Sequence, residues 1–314
     1  MRLISLVCLA LALATGCGGR TPLAVGHDDG APVPATCDQP NDTWVIFEVI
    51  SPADAVLYAA RSDGSDLHRL PVPDLRAIYP AVSPDGRTLA YSATDITSES
   101  AIVLFDFASS ARTVVVPHGG RPTFAPIAQR LAYGDGINIH LVGLDGEGDT
   151  TLVPGPSPQQ TGYGNPSFID DAHVVFDRGG GVESIATDGS ARRTLLTTDG
   201  SRVTFPSPSL SWDKQTLAAV VDCGGTVALR TWPLASPGSC ASGNIVTKVD
   251  LGQVNASSTA WSPNGKIAFV QGKELLVIPA NADAAVYITT PLGLQTKNAG
   301  AGHPVFTPPC TKIP

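Results

Sequence analysis

Charge is scarce in this 314-residue chain. Asp, Glu, Lys and Arg make up 15% of it, against about a quarter in an ordinary soluble domain. With a formal net charge of −8 and no basic run, it lacks the electrostatic footprint of a nucleic-acid binder, and no nucleic-acid partner is expected. Long hydrophobic runs are missing too. The longest apolar stretch, Leu3 to Ala14 broken only by Ser5, is about a dozen residues, whereas a membrane-spanning helix needs roughly 20. Beyond it, no window of about twelve residues carries the 3.6-residue period of an amphipathic helix. Catalytic signatures are absent as well: there is no Gly-x-Ser-x-Gly elbow, no His-Glu-x-x-His helix and no phosphate loop.

What stands at the start is a signal. Arg2 followed by the short apolar stretch has the layout of a secretion peptide. The segment Leu13-Ala14-Thr15-Gly16-Cys17 resembles the bacterial lipobox, with small residues before an acceptor cysteine. The resemblance implies a lipoprotein: residues 1–16 are a cleaved signal peptide, and Cys17 is the lipidation site that ties the mature chain to a membrane. Gly18 follows it rather than Asp, so the expected location is the bacterial cell envelope, lipid-anchored at the outer membrane. Cys37, Cys223, Cys240 and Cys310 remain, an even number in an exported chain, which reads as disulfides. Zinc is disfavoured because the nearest two, Cys223 and Cys240, are 17 apart.

Gly (32) and Pro (27) are abundant, and 43% of residues are hydrophobic, a balance that fits turn-rich β structure with a sizeable core. Residues 17–43 are the exception. They are rich in Gly, Pro and Asp and read as a flexible tether after the lipidated cysteine. From Trp44 a pattern recurs, clearest in Tyr79-Pro80-Ala81-Val82-Ser83-Pro84-Asp85-Gly86-Arg87-Thr88-Leu89-Ala90-Tyr91. The aligned positions Pro80, Pro122, Pro166, Pro208, Thr259 and Pro304 are 42, 44, 42, 51 and 45 residues apart, the period of a four-stranded propeller blade. Each period reads as a short strand, a Ser-Pro-Asp-Gly-like hairpin, a Leu-Ala-Tyr-like strand and a third strand, with Asp63-Gly64, Asp145-Gly146 and Asp188-Gly189 marking turns into a fourth. This repeat resembles that of the TolB-type six-bladed β-propellers over most of residues 44–308. The resemblance implies an all-β, six-bladed propeller of four-stranded antiparallel blades in residues 44–314. The namesake's α/β domain has no counterpart between Cys17 and Trp44, so its role in an envelope-spanning machine is not carried over.

The last copy of the repeat stops at its first strand, while the chain opens with the other strands of a blade: 44–48, 56–60 and 67–70. N- and C-terminal strands should therefore share one blade, with 303–307 innermost and paired to 44–48. Cys310 then falls near Cys37, predicting a disulfide that fastens the ring. Cys223 and Cys240 form the second bridge by elimination.

Propeller sites use the central channel, so the residues opening each inner strand are the candidate binding face: Tyr79, Arg121, Asn165, Ser207, Ser258 and His303. This ring carries one amide and no carboxylate, which argues against a calcium site of the lactonase kind. No catalytic residue, metal ligand or cofactor is assigned. His118-Gly119-Gly120 is read as an interblade turn and Asp145-Gly146-Glu147-Gly148-Asp149 as a hairpin. The expected function is a membrane-anchored, non-catalytic binding or scaffold module for an envelope protein, peptide or glycan. The alternatives are a hydrolase or lyase acting in the channel, and a propeller with a purely structural role.

Overall fold

The computed structural model describes residues 43–94, 100–155, 163–178, 181–197, 208–223, 226–236, 238–248, 258–280, 284–294 and 297–314. The signal, Cys17, the tether, Cys37 and Ser207 lie outside the described residues. Six antiparallel sheets follow one another along the chain. Blade 1 joins the two ends, Gly300–Phe306 lying innermost against Trp44–Ile50, then Ala55–Arg61 and His68–Arg69. Blade 2 is Ala77–Val82, Thr88–Thr94, Ser100–Asp106 and Arg112–Val116; blade 3 is Gly120–Phe124, Arg130–Gly134, Ile139–Gly143 and Thr150–Val153. Blade 4 runs Tyr163–Asp170, His173–Arg178, Gly181–Ala186 and Arg193–Thr197. Blade 5 is Ser209–Leu210, Thr216–Cys223, Thr226–Pro233 and Asn244–Lys248; blade 6 is Thr259–Trp261, Lys266–Gln271, Glu274–Pro279 and Val286–Tyr287. The expected closure is present, with Val45 opposite Phe306, Ile46 opposite Val305 and Glu48 opposite Gly302.

The core is a set of apolar layers between neighbouring blades. On the second strand of blade 1, Val45, Phe47 and Val49 pack with Val270, Leu275 and Val277 of blade 6, while Trp44 and Ile46 pack with Leu89, Tyr91 and Phe105 of blade 2. A strand whose alternate side chains serve two neighbours is apolar on both faces, and therefore reads as a continuous hydrophobic run. Comparable layers join blades 2 and 3 through Ile102 and Leu131, 3 and 4 through Leu141 and Phe176, 4 and 5 through Leu196 and Trp232, and 5 and 6 through Leu229 and Phe269. The tyrosines of the Leu-Ala-Tyr strands are buried but keep a partner: Tyr91 donates to Asp74 at 2.5 Å and Tyr133 to Asp149 at 2.7 Å. Burial and the adjoining carboxylate push both phenols above their usual range.

The Ser-Pro-Asp-Gly segment explains itself chemically. Ser83 donates to Asp85 at 2.6 Å and accepts the backbone N–H of Thr88 at 2.9 Å, while Gly86 has φ +70°. Blade 5 repeats this with Ser211, Asp213 and Thr216, and blade 6 with Ser262, Asn264 and Lys266. A buried hydroxyl thus satisfies the hairpin's backbone, and the acidic or amide side chain orients it.

Blade 4 has one feature the repeat did not predict. Gly238–Ser239, from the loop of blade 5, adds to Leu196–Thr197 in parallel as a fifth strand. The same loop turns through Cys240–Ser242, and Cys240 is bonded to Cys223 with Cα atoms 5.7 Å apart, the expected second bridge. This excursion, between Thr226–Pro233 and Asn244–Lys248, lengthens the 208-to-259 spacing. Cys310 takes part in a disulfide; Cys37, its expected partner, lies outside the described residues.

Candidate functional site

Each inner strand of blades 1 to 4 opens with the same irregularity. Tyr79, Arg121, Asn165 and His303 have φ of 54°, 55°, 47° and 36°, and each directly precedes a proline. The ladders shift register across these positions, between Ile78 and Ala81, Gly120 and Thr123, Gly164 and Ser167, and opposite the interval from Ile46 to Glu48. The extra residue of the bulge turns left-handed, and the proline that follows has no N–H to leave unpaired. A left-handed conformation costs a residue with a side chain about 1–3 kcal/mol, and such strain concentrates where side chains must be aimed at a site.

The second strands of the blades compensate. Glu48, fully buried, accepts the N–H of Tyr79 at 2.7 Å. Ser92, which occupies the same strand position in blade 2, accepts the N–H of Arg121 at 2.9 Å. Asp177, at that position in blade 4, accepts from the Asn165 side chain. His303 donates its N–H to Ser258 at 2.8 Å, and its Nδ1 meets Glu48 Oε1 at 2.5 Å. As a carboxylate, Glu48 can only accept, so Nδ1 carries the proton of this pair.

The aimed side chains touch one another across blades. The Tyr79 and His303 rings are 4.1 Å apart at an edge-on angle. The Arg121 guanidinium lies 4.8 Å over the Tyr79 ring and donates through Nη2 to its hydroxyl at 3.2 Å. Gly164 makes room for it, since a Cβ there would sit 2.8 Å from Arg121 Nη1. These residues form one mouth of a channel of about 270 Å3, lined by all six inner strands. Small residues on consecutive strands, Ala81, Thr123, Ser167, Ser209 and Ala260, keep it open.

The site and the ring around it can now be set beside known structures. The chain is similar to TolB in fold. It matches TolB from Acinetobacter baumannii at 17% identity and a TM-score of 0.68, over 88% of this chain and 68% of that one. It also matches a chain of a nidogen/laminin complex at 11% identity and 0.62, over 86% and 100% of the two chains. An oligogalacturonate lyase in complex with manganese matches at 14% and 0.51, over 74% and 69%. No protein-family model and no curated protein matches the sequence. At these identities the likeness is one of architecture, and function has to be argued from the site.

Behind the inner strands stand two carboxylates that the sequence reading did not include: Glu48 and Asp177, from second strands, which hold Tyr79, His303 and Asn165 without entering the lining. Glu48 left a trace in the sequence, as the lone charge inside the apolar strand WVIFEVI. Asp177 left less, in a shorter strand beside Arg178. Tyr79, Arg121, Asn165, Ser258 and His303 line the channel; Ser207 is outside the described residues. His118-Gly119-Gly120 is an interblade turn, where a Cβ on Gly119 would meet the Tyr133 ring at 2.7 Å. Among the described residues no group of three His, Cys, Asp or Glu side chains is placed to hold a metal.

Proposed function

We propose that the protein is a lipid-anchored module of the bacterial envelope whose propeller binds a protein, peptide or glycan at the mouth formed by Tyr79, Arg121, Asn165 and His303. One observation carries this reading: four blades each hold a residue in a strained left-handed conformation, and the four converge on one opening. Packing alone does not require such strain four times over. The nidogen/laminin match adds an analogy of fold to a chain solved in a protein complex.

The structure determines which variant tests it. The Arg121 side chain makes one hydrogen bond, to Tyr79, and lies over its ring, so Arg121→Ala should weaken capture of the partner from solubilised envelopes by about tenfold while the melting temperature stays within a degree or two. Unchanged capture moves the site elsewhere. His303 does not serve as a clean probe, because its removal strips the buried Glu48 of a donor.

The anchor rests on the signal-like start and the lipobox-like segment before Cys17. Mass spectrometry of the mature protein is expected to find an acylated N-terminal Cys17; an unmodified terminus at any other residue would dismiss the anchor and with it the outer-membrane location.

A second reading has one observation in its favour. The Glu48–His303 pair resembles a carboxylate-oriented imidazole, the arrangement of a general base, and would suit a hydrolase or lyase working in the channel.

A further inference from the structure

We infer that the mouth is built for a carboxylate carried by a peptide, with Arg121 as its principal partner; the inference rests on the binding reading above and names its ligand class. The chain is acidic, with a net charge of −8, yet among the described residues the channel lining contains no Asp or Glu. Its charged and titratable members are Tyr79, Arg121, Lys214 and His303. Two carboxylates stand behind the wall: Glu48 engages both oxygens, accepting from Tyr79 N and His303 Nδ1, and Asp177 accepts from Asn165 through Oδ2 while its Oδ1 borders the same Gly164 position as Arg121 Nη1. The wall therefore presents donors to the lumen.

Arg121 is the strongest of these. Its side chain makes a single hydrogen bond, from Nη2 to Tyr79, so the rest of its planar fork of N–H groups is uncommitted among the described residues. Such a fork matches the two oxygens of a carboxylate. Tyr79, whose oxygen receives that bond, retains its own O–H proton to donate. The His303 ring lies beside them, with Nδ1 turned to Glu48. A fixed guanidinium flanked by a phenol and an imidazole is thus complementary to an anion with two acceptor atoms.

Two features favour a peptide over an acidic sugar. A sugar ring binds best against an open aromatic face; beside Arg121 the Tyr79 ring has the guanidinium over it and His303 against it, and the lining tryptophans, Trp212 and Trp261, belong to blades 5 and 6. The channel, about 270 Å3, is also at or below the lower end of sites that enclose whole small ligands. It suits an inserted end, either an acidic side chain or a chain terminus.

The test uses the full mature chain and four defined probes in calorimetric or NMR titrations. They are acetyl-Ala-Ala-Glu-amide, acetyl-Ala-Ala-Ala with a free C-terminus, acetyl-Ala-Ala-Gln-amide, and trigalacturonate. At least one carboxylate peptide is expected to bind roughly tenfold or more tightly than the neutral Gln peptide, the margin set by a charged hydrogen bond. Which one binds separates a side chain from a terminus. Arg121→Gln should abolish the preference, and Arg121→Lys, which keeps the charge but loses the fork, should restore only part of it. Equal binding of the neutral peptide, trigalacturonate binding in place of both acidic peptides, or no binding by any carboxylate overturns the inference. If the native chain captures an envelope partner and Arg121→Gln captures it equally well, the carboxylate proposal fails while the binding reading stands at another site. If no partner and no probe is retained, both fall.

Discussion

Glu48→Ala is expected to lower the unfolding free energy by about 3–5 kcal/mol, as a large-to-small change in the interior that also leaves a backbone donor unpaired. Glu48 is fully buried, and its two oxygens serve two different strands: the N–H of Tyr79 at 2.7 Å on blade 2 and Nδ1 of His303 on the inner strand of blade 1. The substitution leaves the Tyr79 N–H without a partner at a strained residue, removes the anion opposite His303 and opens a void between blades. Each effect is destabilising, and they occur in one place. Glu48→Gln keeps the volume and an acceptor, so it should recover part of the loss. Urea unfolding followed by tryptophan fluorescence measures both. A loss below about 1 kcal/mol for Glu48→Ala would mean that the carboxylate does not hold the mouth together.

Non-reducing peptide mapping should recover Cys37 joined to Cys310, and Cys37→Ser should cost up to on the order of 5 kcal/mol by loop entropy. Cys310 takes part in a disulfide, and Cys223 and Cys240 are bonded to each other; with Cys8 and Cys17 assigned to the proposed signal and anchor, Cys37 is the cysteine proposed for it. Blade 1 is also the one place where the inner and second strands, Gly300–Phe306 and Trp44–Ile50, are not joined by a hairpin. A bridge there does covalently what the Ser-Pro-Asp-Gly turn does in other blades. It would enclose nearly the whole domain, whereas Cys223–Cys240 spans 17 residues and stabilises by about 3 kcal/mol on the same model. In Cys37→Ser, hydrogen exchange should rise first in Trp44–Ile50 and Gly300–Phe306. Recovery of Cys37 linked to Cys223 or Cys240 would refute the closure, and uniform exchange would show that strand pairing alone holds the ring.

The architecture was legible because a propeller is local physics repeated. The Ser-Pro-Asp-Gly hairpin and its degenerate counterparts are local turn chemistry, and the aligned positions from Pro80 to Pro304, 42 to 51 residues apart, count the blades. The site was legible only in part. Tyr79, Arg121, Asn165 and His303 could be found because each precedes an aligned proline, or because the repeat places it at a strand start. Glu48, Ser92 and Asp177 could not, since their partners lie in inner strands reached only across the ladder or in the next blade. The fifth strand of blade 4 was hidden for the same reason: nothing in Gly238-Ser239 favours Leu196 as a neighbour until the disulfide loop is folded over it.

The sequence by itself determined what depends on neighbours along the chain: the hairpins, the alternation of strands, the number of blades and, through a divided repeat, that the two ends must meet. Only the tertiary structure decided which polar groups face each other. Bulges turn four side chains toward the axis, and carboxylates from second strands retreat behind them. An acidic protein thereby keeps carboxylates out of the described channel lining, because Glu48 and Asp177 are held behind the wall while Arg121, on the lining, gives only one hydrogen bond, to Tyr79.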